Sequence, residues 1–320
     1  MSTLVISVLV VYFVILMVIS RIVSRKKREN NETFFMAGRN ASWWVVSIGM
    51  IGASVSGVSF LSVPGMVGNI GFTYMQTVLG FVLGYVLIAK VLLPVYYRLS
   101  SPSIYEFLNN RFGVCAYKTG AWFFLISKLF GTAAKVYVIV LVLHSMAFAS
   151  LGVPFFLSVL VVVAMIWLYT RRGGMNTIVW TDMLQTLLML LALVMIILTF
   201  IHALNLDFNG AIDLAKNSRW SQYIELDDWA SKQHFVKQFL SGAFIALVMT
   251  GLDQDMIQKN RAIRTLKQSQ KNMYLYGSAF VPLNFLFLLL GVLMLEYSVK
   301  NGVTLPINPD EYLPFFVKEG

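Results

Sequence analysis

The sequence has few of the residues on which disulfide-rich domains and metal enzymes depend. It contains one cysteine, Cys115, among 320 residues, so no internal disulfide can form. Its three histidines, His144, His202 and His234, are far apart and form no His-x-x-x-His pair for a metal. Charged residues make up 12% of the chain. These shortages argue against redox chemistry and metal-dependent catalysis, and we predict that the protein is not an enzyme.

Apolar residues dominate the remaining sequence. Hydrophobic residues make up 58% of the chain and aromatic residues 14%, with a mean hydropathy of +0.73. A helix needs about 20 apolar residues to cross the hydrocarbon core of a bilayer. Eight runs have roughly this length: Leu4–Val23, Ser42–Val67, Phe72–Tyr96, Thr119–Ala149, Val153–Tyr169, Thr177–Ala203, Phe235–Leu252 and Met273–Tyr297. We predict an all-α integral membrane protein with about eight transmembrane helices.

The charges are arranged as in a membrane protein. The net charge of +10 would suggest nucleic-acid binding in a soluble chain, but lysines and arginines concentrate in alternate loops. Sixteen of them lie in the stretches 21–39, 98–118, 171–172 and 259–271, and five lie in 204–234 and 298–320. By the positive-inside rule the first set is cytoplasmic. We therefore predict a multi-pass protein of the inner or plasma membrane, with both termini outside and no nucleic-acid partner.

Small and hydroxyl-bearing residues interrupt the second apolar run between Ile51 and Gly65. Proline lacks an N–H and glycine tolerates irregular dihedrals, so Gly57, Pro64 and Gly65 are residues at which this helix could break. Within hydrocarbon a helix breaks only where it lines a cavity or is buried in protein. Secondary transporters build ion and solute sites at such breaks. The alternative is a close helix contact made through small residues.

Some charged residues lie inside the apolar runs, and three of them are candidates for a functional role. Lys128 and Lys135 are seven residues apart and share a helical face, whereas Asp182 enters the sixth run. Buried charges usually face a cavity or a partner, although a lysine near a helix end can extend its ammonium to the interface. For Asp182 the alternative is a structural partner of an arginine or a backbone amide. Thr250 and Gly251 suggest a second helix break in the seventh run.

Three sequence blocks resemble a known family. They are Phe34–Arg39 (Phe-Phe-Met-Ala-Gly-Arg), the segment 169–185 with Tyr-Thr-x-x-Gly-Gly and Trp-Thr-Asp-x-x-Gln, and 253–259 with Asp-Gln and Gln-Lys. The second block is the most specific. The chain resembles the N-terminal part of the sodium:solute symporters, which are sodium-coupled carriers of sugars, sialic acid, proline, pantothenate and iodide.

The resemblance implies an incomplete LeuT-type fold of two inverted five-helix repeats. Residues 1–41 would form an extra N-terminal helix and a cytoplasmic loop, and residues 42–203 the first repeat. An extracellular loop would follow at 204–233. Residues 234–298 would supply the first two helices of the second repeat, and 299–320 an extracellular segment.

The resemblance also implies a sodium site at the first helix break. Gly52 and Val55 would contribute backbone carbonyls, and Asp182 matches a family carboxylate near the sodium exit path or a second sodium site. Such oxygen ligands are the ones that hard cations prefer. Na+ would be the coupling ion.

Five residues are candidate contacts for a small polar solute. Ser56 and Ser59 match positions of the family that reach the solute, Gln76 lies near another, and Thr250 lies at the second break. Sialic acid carriers place an arginine where this chain has Gly131, so a carboxylate solute would lose its bidentate partner unless Lys135 replaces it.

These features favour sodium-coupled symport of a small polar solute by alternating access. The alternatives are a membrane sensor that uses the same fold and a fragment that does not transport. In the family, hydroxyl groups of the eighth core helix complete the sodium site, and this sequence does not contain that helix. We therefore expect that these 320 residues are a truncated or split product, which would not accumulate solute in liposomes under a sodium gradient.

The charge asymmetry yields a test of topology. Cysteines introduced at Ser2 and Asn301 should react with a membrane-impermeant thiol reagent added outside, whereas a cysteine at Asn30 should be protected. Labelling of intact cells measures this accessibility. Protection of the cysteine at position 2 would overturn the predicted orientation.

Overall fold

The computed structural model describes residues 2–24, 39–55, 57–98, 103–144, 148, 151–170 and 174–319. Ser56 and most of the block from Phe34 to Arg39 lie outside these ranges. Within the described residues the chain is helical, and its one β-bridge joins Ala41 to Ile263. The prediction of an all-α fold is confirmed.

We number the α-helices in chain order. They are α1 (Ser2–Ser24), α2 (Trp43–Ser54), α3 (Gly57–Gly65), α4 (Val67–Ile70), α5 (Tyr74–Leu87), α6 (Leu93–Tyr97), α7 (Glu106–Phe112), α8 (Val114–Leu143), α9 (Phe155–Thr170), α10 (Gly174–Ala203), α11 (Phe208–Asn217), α12 (Phe235–Ala246), α13 (Gln254–Arg261), α14 (Leu266–Asn301) and α15 (Tyr312–Glu319). Two π-helical segments, Ile88–Leu92 and Leu247–Gly251, join α5 to α6 and extend α12.

The helices coincide with the predicted apolar runs. In the described part of the chain, four helical stretches are long and apolar enough to cross a membrane: Tyr74–Tyr97, Val114–Leu141, Thr177–Ala203 and Leu266–Asn301. Two bent helix pairs pass the same test together, and two shorter apolar helices lie at Ile6–Ile22 and Phe155–Leu168. The chain is a multi-pass membrane protein.

The first bent pair is α2 with the α3–α4 segment, at an angle of 65°. Val55 leaves the helical region with φ −81° and ψ 100°, and α3 begins at Gly57. The break therefore lies next to Gly57, whereas Pro64 and Gly65 lie at the end of α3. A proline one residue before a helix end leaves most of the preceding helix intact, because the lost N–H affects only one hydrogen bond.

The second bent pair confirms the break expected at Thr250 and Gly251. The helix of α12 ends in a π-helical segment at Gly251, and α13 continues at an angle of 68°. Asp253 caps α13, since its carboxylate accepts hydrogen bonds from the backbone N–H groups of Asp255 (2.9 Å) and Met256 (3.1 Å). Such a cap satisfies N–H groups that the first turn of a helix leaves unpaired.

Helix α14 forms the centre of the packing. It contacts α2, α3, α5 and α10, and Met273, Tyr276, Leu288 and Leu290 are fully buried along its length. By contrast, α8 exposes large apolar side chains such as Phe130. Exposed apolar side chains are expected on a helix that faces lipid.

Small residues let α5 and α12 approach closely. A Cβ atom on Gly80 would lie 2.0 Å from the carbonyl oxygen of Phe239, and one on Gly242 would lie 2.0 Å from that of Thr77. Backbones that touch in this way are typical of small-residue contacts between membrane helices. The contact fixes α5 against α12, the first helix of the second bent pair.

This contact generates a stability prediction. The substitution Gly80→Ala would force α5 and α12 apart, because the obstructing atom belongs to backbone that cannot rotate away. We expect a loss of about 1–3 kcal/mol, as for overpacked cores, seen as a lower melting temperature of the purified protein in detergent. Gly131→Ala is the matched control, since beyond its own helix no atom of the described residues lies within 4 Å of its added Cβ. Equal melting temperatures for the two variants would contradict the prediction.

Candidate functional site

A cavity of about 480 Å³ lies at the break between α2 and α3. Its walls come from α2, α3, α8 and α10. The lining residues are Gly52, Ala53, Val55, Gly57, Phe60, Lys135, Val138, Ile139, Asp182, Gln185 and Met189. The structure thus brings together four residues predicted from the sequence, namely Gly52, Val55, Lys135 and Asp182.

Glycines on α2 allow α10 to pack against the break. A Cβ atom on Gly49 would lie 3.2 Å from the Cβ of Asp182, and one on Gly52 would lie 2.0 Å from Oγ1 of Thr186. The Thr186 hydroxyl donates a hydrogen bond of 2.6 Å to the carbonyl oxygen of Asp182. Any side chain larger than hydrogen at position 52 would displace Thr186. The glycine at that position therefore holds the broken helix against the acidic turn of α10.

Sequence reasoning missed Thr186 as a residue of this site. It lies four residues after Asp182, which places it on the same face of α10, one turn further along. That spacing was the available signal, because a hydroxyl one turn from a buried carboxylate faces the same neighbours. Gln185 also lines the cavity, and it is the glutamine of the Trp-Thr-Asp-x-x-Gln motif.

Asp182 forms an ion pair with Lys259 on α13. The Nζ of Lys259 lies 2.5 Å from Oδ2 of Asp182. The Lys259 side chain is 9% exposed and the Asp182 side chain 20%, so the pair is largely removed from solvent. A buried ion loses hydration that only a close opposite charge can replace. Asp182 therefore both lines the cavity and holds the second broken helix.

The two lysines of α8 have different surroundings. The Nζ of Lys128 lies 2.7 Å from Oδ2 of Asp253 and 2.7 Å from Oδ2 of Asp255, at the start of α13. Lys135, two turns further along, lines the cavity. The shared helical face was thus predicted correctly, and its two ends serve different contacts: an ion pair and the cavity wall.

A hydroxyl cluster lies between the two helix breaks. The Ser54 and Tyr276 hydroxyls are in hydrogen-bond contact, and the Tyr85 hydroxyl donates a 3.5 Å bond to that of Tyr276. Thr250, at the second break, is buried. Ser59 is half-buried on α3 and is not among the residues that line the cavity. Thr250 and Ser59 remain predicted solute contacts.

Gln76 lies away from the cavity, beneath residues 204–233, which we call the cap. Its side chain is fully buried. Its Nε2 donates a 2.8 Å hydrogen bond to the carbonyl oxygen of Gln233, and its Oε1 accepts a 3.2 Å bond from the backbone N–H of Glu225. The amide is therefore used in attaching the cap to α5.

The cap also contains an amphipathic helix, α11. Asp207 caps it by accepting a 2.7 Å hydrogen bond from the N–H of Gly210. Tyr223 packs its ring on Phe72 at 4.9 Å between centroids, and its hydroxyl donates to the carbonyl oxygen of Ala215. Burial raises the pKa of the Tyr223 phenol above its usual value, which keeps the donor protonated.

The contacts of Gln76 give a second prediction. Gln76→Leu keeps the volume but leaves the partly buried carbonyl of Gln233 and N–H of Glu225 without this partner, at up to about 1–3 kcal/mol for each unsatisfied group. We expect faster cleavage within 204–233 by an added protease, read by the fragment masses. Gln222→Leu is the control, because Gln222 bonds the exposed side chain of Glu225. A cleavage rate equal to that of the unmodified protein would show that Gln76 does not hold the cap.

The residues around the cavity fit a hard monovalent cation. Within the described residues no group of three or more His, Cys, Asp or Glu side chains forms a transition-metal site. The lining residues instead offer oxygen donors from the Asp182 carboxylate and the backbone of Gly52 and Val55, together with the ammonium group of Lys135, and the Thr186 hydroxyl adjoins Gly52 outside the lining. Oxygen donors of this kind suit Na+ better than soft metals.

Known proteins resemble this chain in sequence. The family model of the sodium:solute symporter family matches residues 34–303. The sodium/iodide cotransporter of Homo sapiens is 25% identical over 298 residues, covering 92% of this chain and 46% of that protein. The sodium-dependent multivitamin transporter of Oryctolagus cuniculus is 28% identical over 290 residues, covering 89% and 44%. The chain therefore spans about half the length of the curated relatives it matches.

A solved structure shares the fold. It is the substrate-bound outward-open state of a Na+-coupled sialic acid symporter, which superposes with a TM-score of 0.84 at 18% sequence identity. The match covers 98% of this chain and 66% of that chain. Apolar spans with two broken helices and a charged cavity at one break define a membrane protein with a transporter-like fold. The chain belongs to the sodium:solute symporter family.

Proposed function

We propose that this chain forms the sodium site and part of the solute pathway of a sodium-coupled secondary transporter. The observation that carries the proposal is the cavity at the α2–α3 break, where Gly52, Val55 and Asp182 come together. A helix break exposes backbone groups that a closed helix would pair internally, and these groups become ligands. Family membership and the names of the relatives support sodium as the coupling ion.

The charged residues of the cavity would bind different ligands. Asp182 supplies the negative charge that a sodium ion needs, and the carbonyls of Gly52 and Val55 add oxygen ligands without further charge. Lys135 lies in the same cavity and would attract an anionic or strongly polar group of the solute. A sodium ion at Asp182 and an anionic solute at Lys135 would attract each other within one cavity. Binding of either one would therefore favour binding of the other, which is the basis of coupled binding.

Orientation forms part of the same proposal. With both termini outside, the cap lies on the outer side of an inner or plasma membrane, and α13 enters the cytoplasmic side. The excess of basic residues in 259–271 supports this placement. The division into a first repeat at 42–203 and the start of a second at 234–298 remains a prediction from the family resemblance.

The proposal is tested by transport in cells that express the complete carrier containing this chain. Iodide and sialic acid, taken from the names of related proteins, are the first radiolabelled solutes to screen, with sodium replaced by choline in parallel. Uptake that requires sodium supports symport. Uptake of a solute at equal rates in sodium and in choline would contradict it.

Asp182 provides the residue-level prediction. Asp182→Asn should raise the sodium concentration for half-maximal uptake by about tenfold or more, because the amide keeps the shape but removes the charge. Folding should suffer less, as measured by the amount of protein in the membrane and its melting temperature. Asp227→Asn, a change to an exposed carboxylate of the cap, is the control. A sodium activation curve matching that of the unmodified protein would assign Asp182 a structural role.

A further inference from the structure

The carboxylate proposed to bind sodium already holds a cation of the protein itself. The Nζ of Lys259 contacts Oδ2 of Asp182 at 2.5 Å and forms an ammonium–carboxylate ion pair with it. The Lys259 side chain is 9% exposed, so water does little to screen its charge. The Asp182 side chain also borders the cavity. One carboxylate thus stands between a fixed ammonium group and a space that fits a mobile ion.

We infer that Lys259 is a built-in competitor of sodium at Asp182 and sets the affinity of the site. This inference rests on the proposed function, because it concerns the same sodium site. The competitor is covalently attached to α13, so its local concentration is constant. Sodium must therefore bind against a charge that the protein never removes.

The electrostatics follow from the geometry of a carboxylate. Its two oxygens offer about four lone-pair sites, so Oδ1 can bind a cation while Oδ2 holds Lys259. A sodium ion on Oδ1 would then lie only a few ångströms from the ammonium group, and two like charges at that distance repel strongly in a poorly hydrated site. Each cation weakens the hold of the other, and by linkage the effect is equal in both directions.

The packing of α13 should confine the effect of a Lys259 substitution to the Lys259–Asp182 pair. Lys128 holds the start of α13 through Asp253 and Asp255. Near its end, Asn260 accepts a 2.7 Å hydrogen bond from the Asn272 amide on α14. Both ends of the helix are thus fixed by contacts that do not involve Asp182. Removing the charge of Lys259 should therefore alter sodium binding without releasing the helix.

Neutral and charge-conserving variants separate this role from simple structural support. Lys259→Gln keeps an N–H donor toward Asp182 but removes the charge, Lys259→Met removes both, and Lys259→Arg keeps the charge. Lys128→Met is the matched control, since Lys128 is also an ion-paired lysine facing α13 but does not line the cavity. Competition predicts tighter sodium binding in the two neutral Lys259 variants alone.

The measurement uses the complete carrier in detergent and in cells. Sodium is titrated at constant ionic strength with choline, and the sodium concentration for half of the rise in melting temperature is compared with that for half-maximal uptake. We expect the half-saturating concentration to fall by about tenfold in Lys259→Gln and Lys259→Met. Lys259→Arg and Lys128→Met should stay within about twofold of the unmodified protein.

The possible outcomes are distinct. An unchanged or higher half-saturating concentration in folded Lys259→Gln or Lys259→Met would overturn the inference while leaving sodium binding at Asp182 intact. Failure of both neutral variants to fold, with Lys259→Arg folding normally, would also overturn it and make the pair structural. Absence of any sodium response in the unmodified carrier would instead refute the proposed function itself.

Discussion

The structure depends on how backbone hydrogen bonds are satisfied where helices break inside the membrane. An unpaired backbone group in hydrocarbon costs several kcal/mol, so each break needs partners from neighbouring helices. At the second break, the Tyr96 hydroxyl donates a 2.9 Å bond to the carbonyl oxygen of Gly251, and Asp253 caps the next helix. At the first break, α10 and α14 pack on either side of α2, and Ser54 contacts Tyr276. The breaks persist because the long unbroken helices surround them.

The same long helices carry the charges that the breaks require. Two lysines meet carboxylates from other helices: Lys259 on α13 meets Asp182 on α10, and Lys128 on α8 meets Asp253 and Asp255 at the start of α13. Each pair offsets the free-energy cost of placing its charges away from bulk water, and this matters most for Lys259 and Asp182, whose side chains are 9% and 20% exposed. The pairs therefore specify which helices lie next to α13, in addition to any stability that they contribute.

The sequence was sufficient to predict the helices, both breaks and one carboxylate, because these depend on local patterns. Hydrophobic runs, a Thr250–Gly251 pair and an aspartate in an apolar helix are visible within about 20 residues. The partner of that aspartate, Lys259, lies 77 residues away along the chain, and no spacing rule connects them. Gln76 similarly meets the cap across 157 residues. A buried amide looks the same in sequence whether it binds a solute or a backbone carbonyl, so its role required the tertiary structure.

Packing and electrostatics meet at the glycines of α2. Gly49 and Gly52 are three positions apart, so both face α10. Because they lack side chains, the turn of α10 that carries Asp182 lies against the backbone of the broken helix. A larger residue at position 49 would press on the Cβ of Asp182, and one at position 52 would displace Thr186, so either change would disturb the packing that places the carboxylate. The Asp182 carboxylate can therefore lie close to the helix break only because Gly49 and Gly52 have no side chains. The sequence offered a close helix contact through small residues as the alternative to a break in 51–65, and Gly52 does make such a contact, at Thr186 of α10, beside the break.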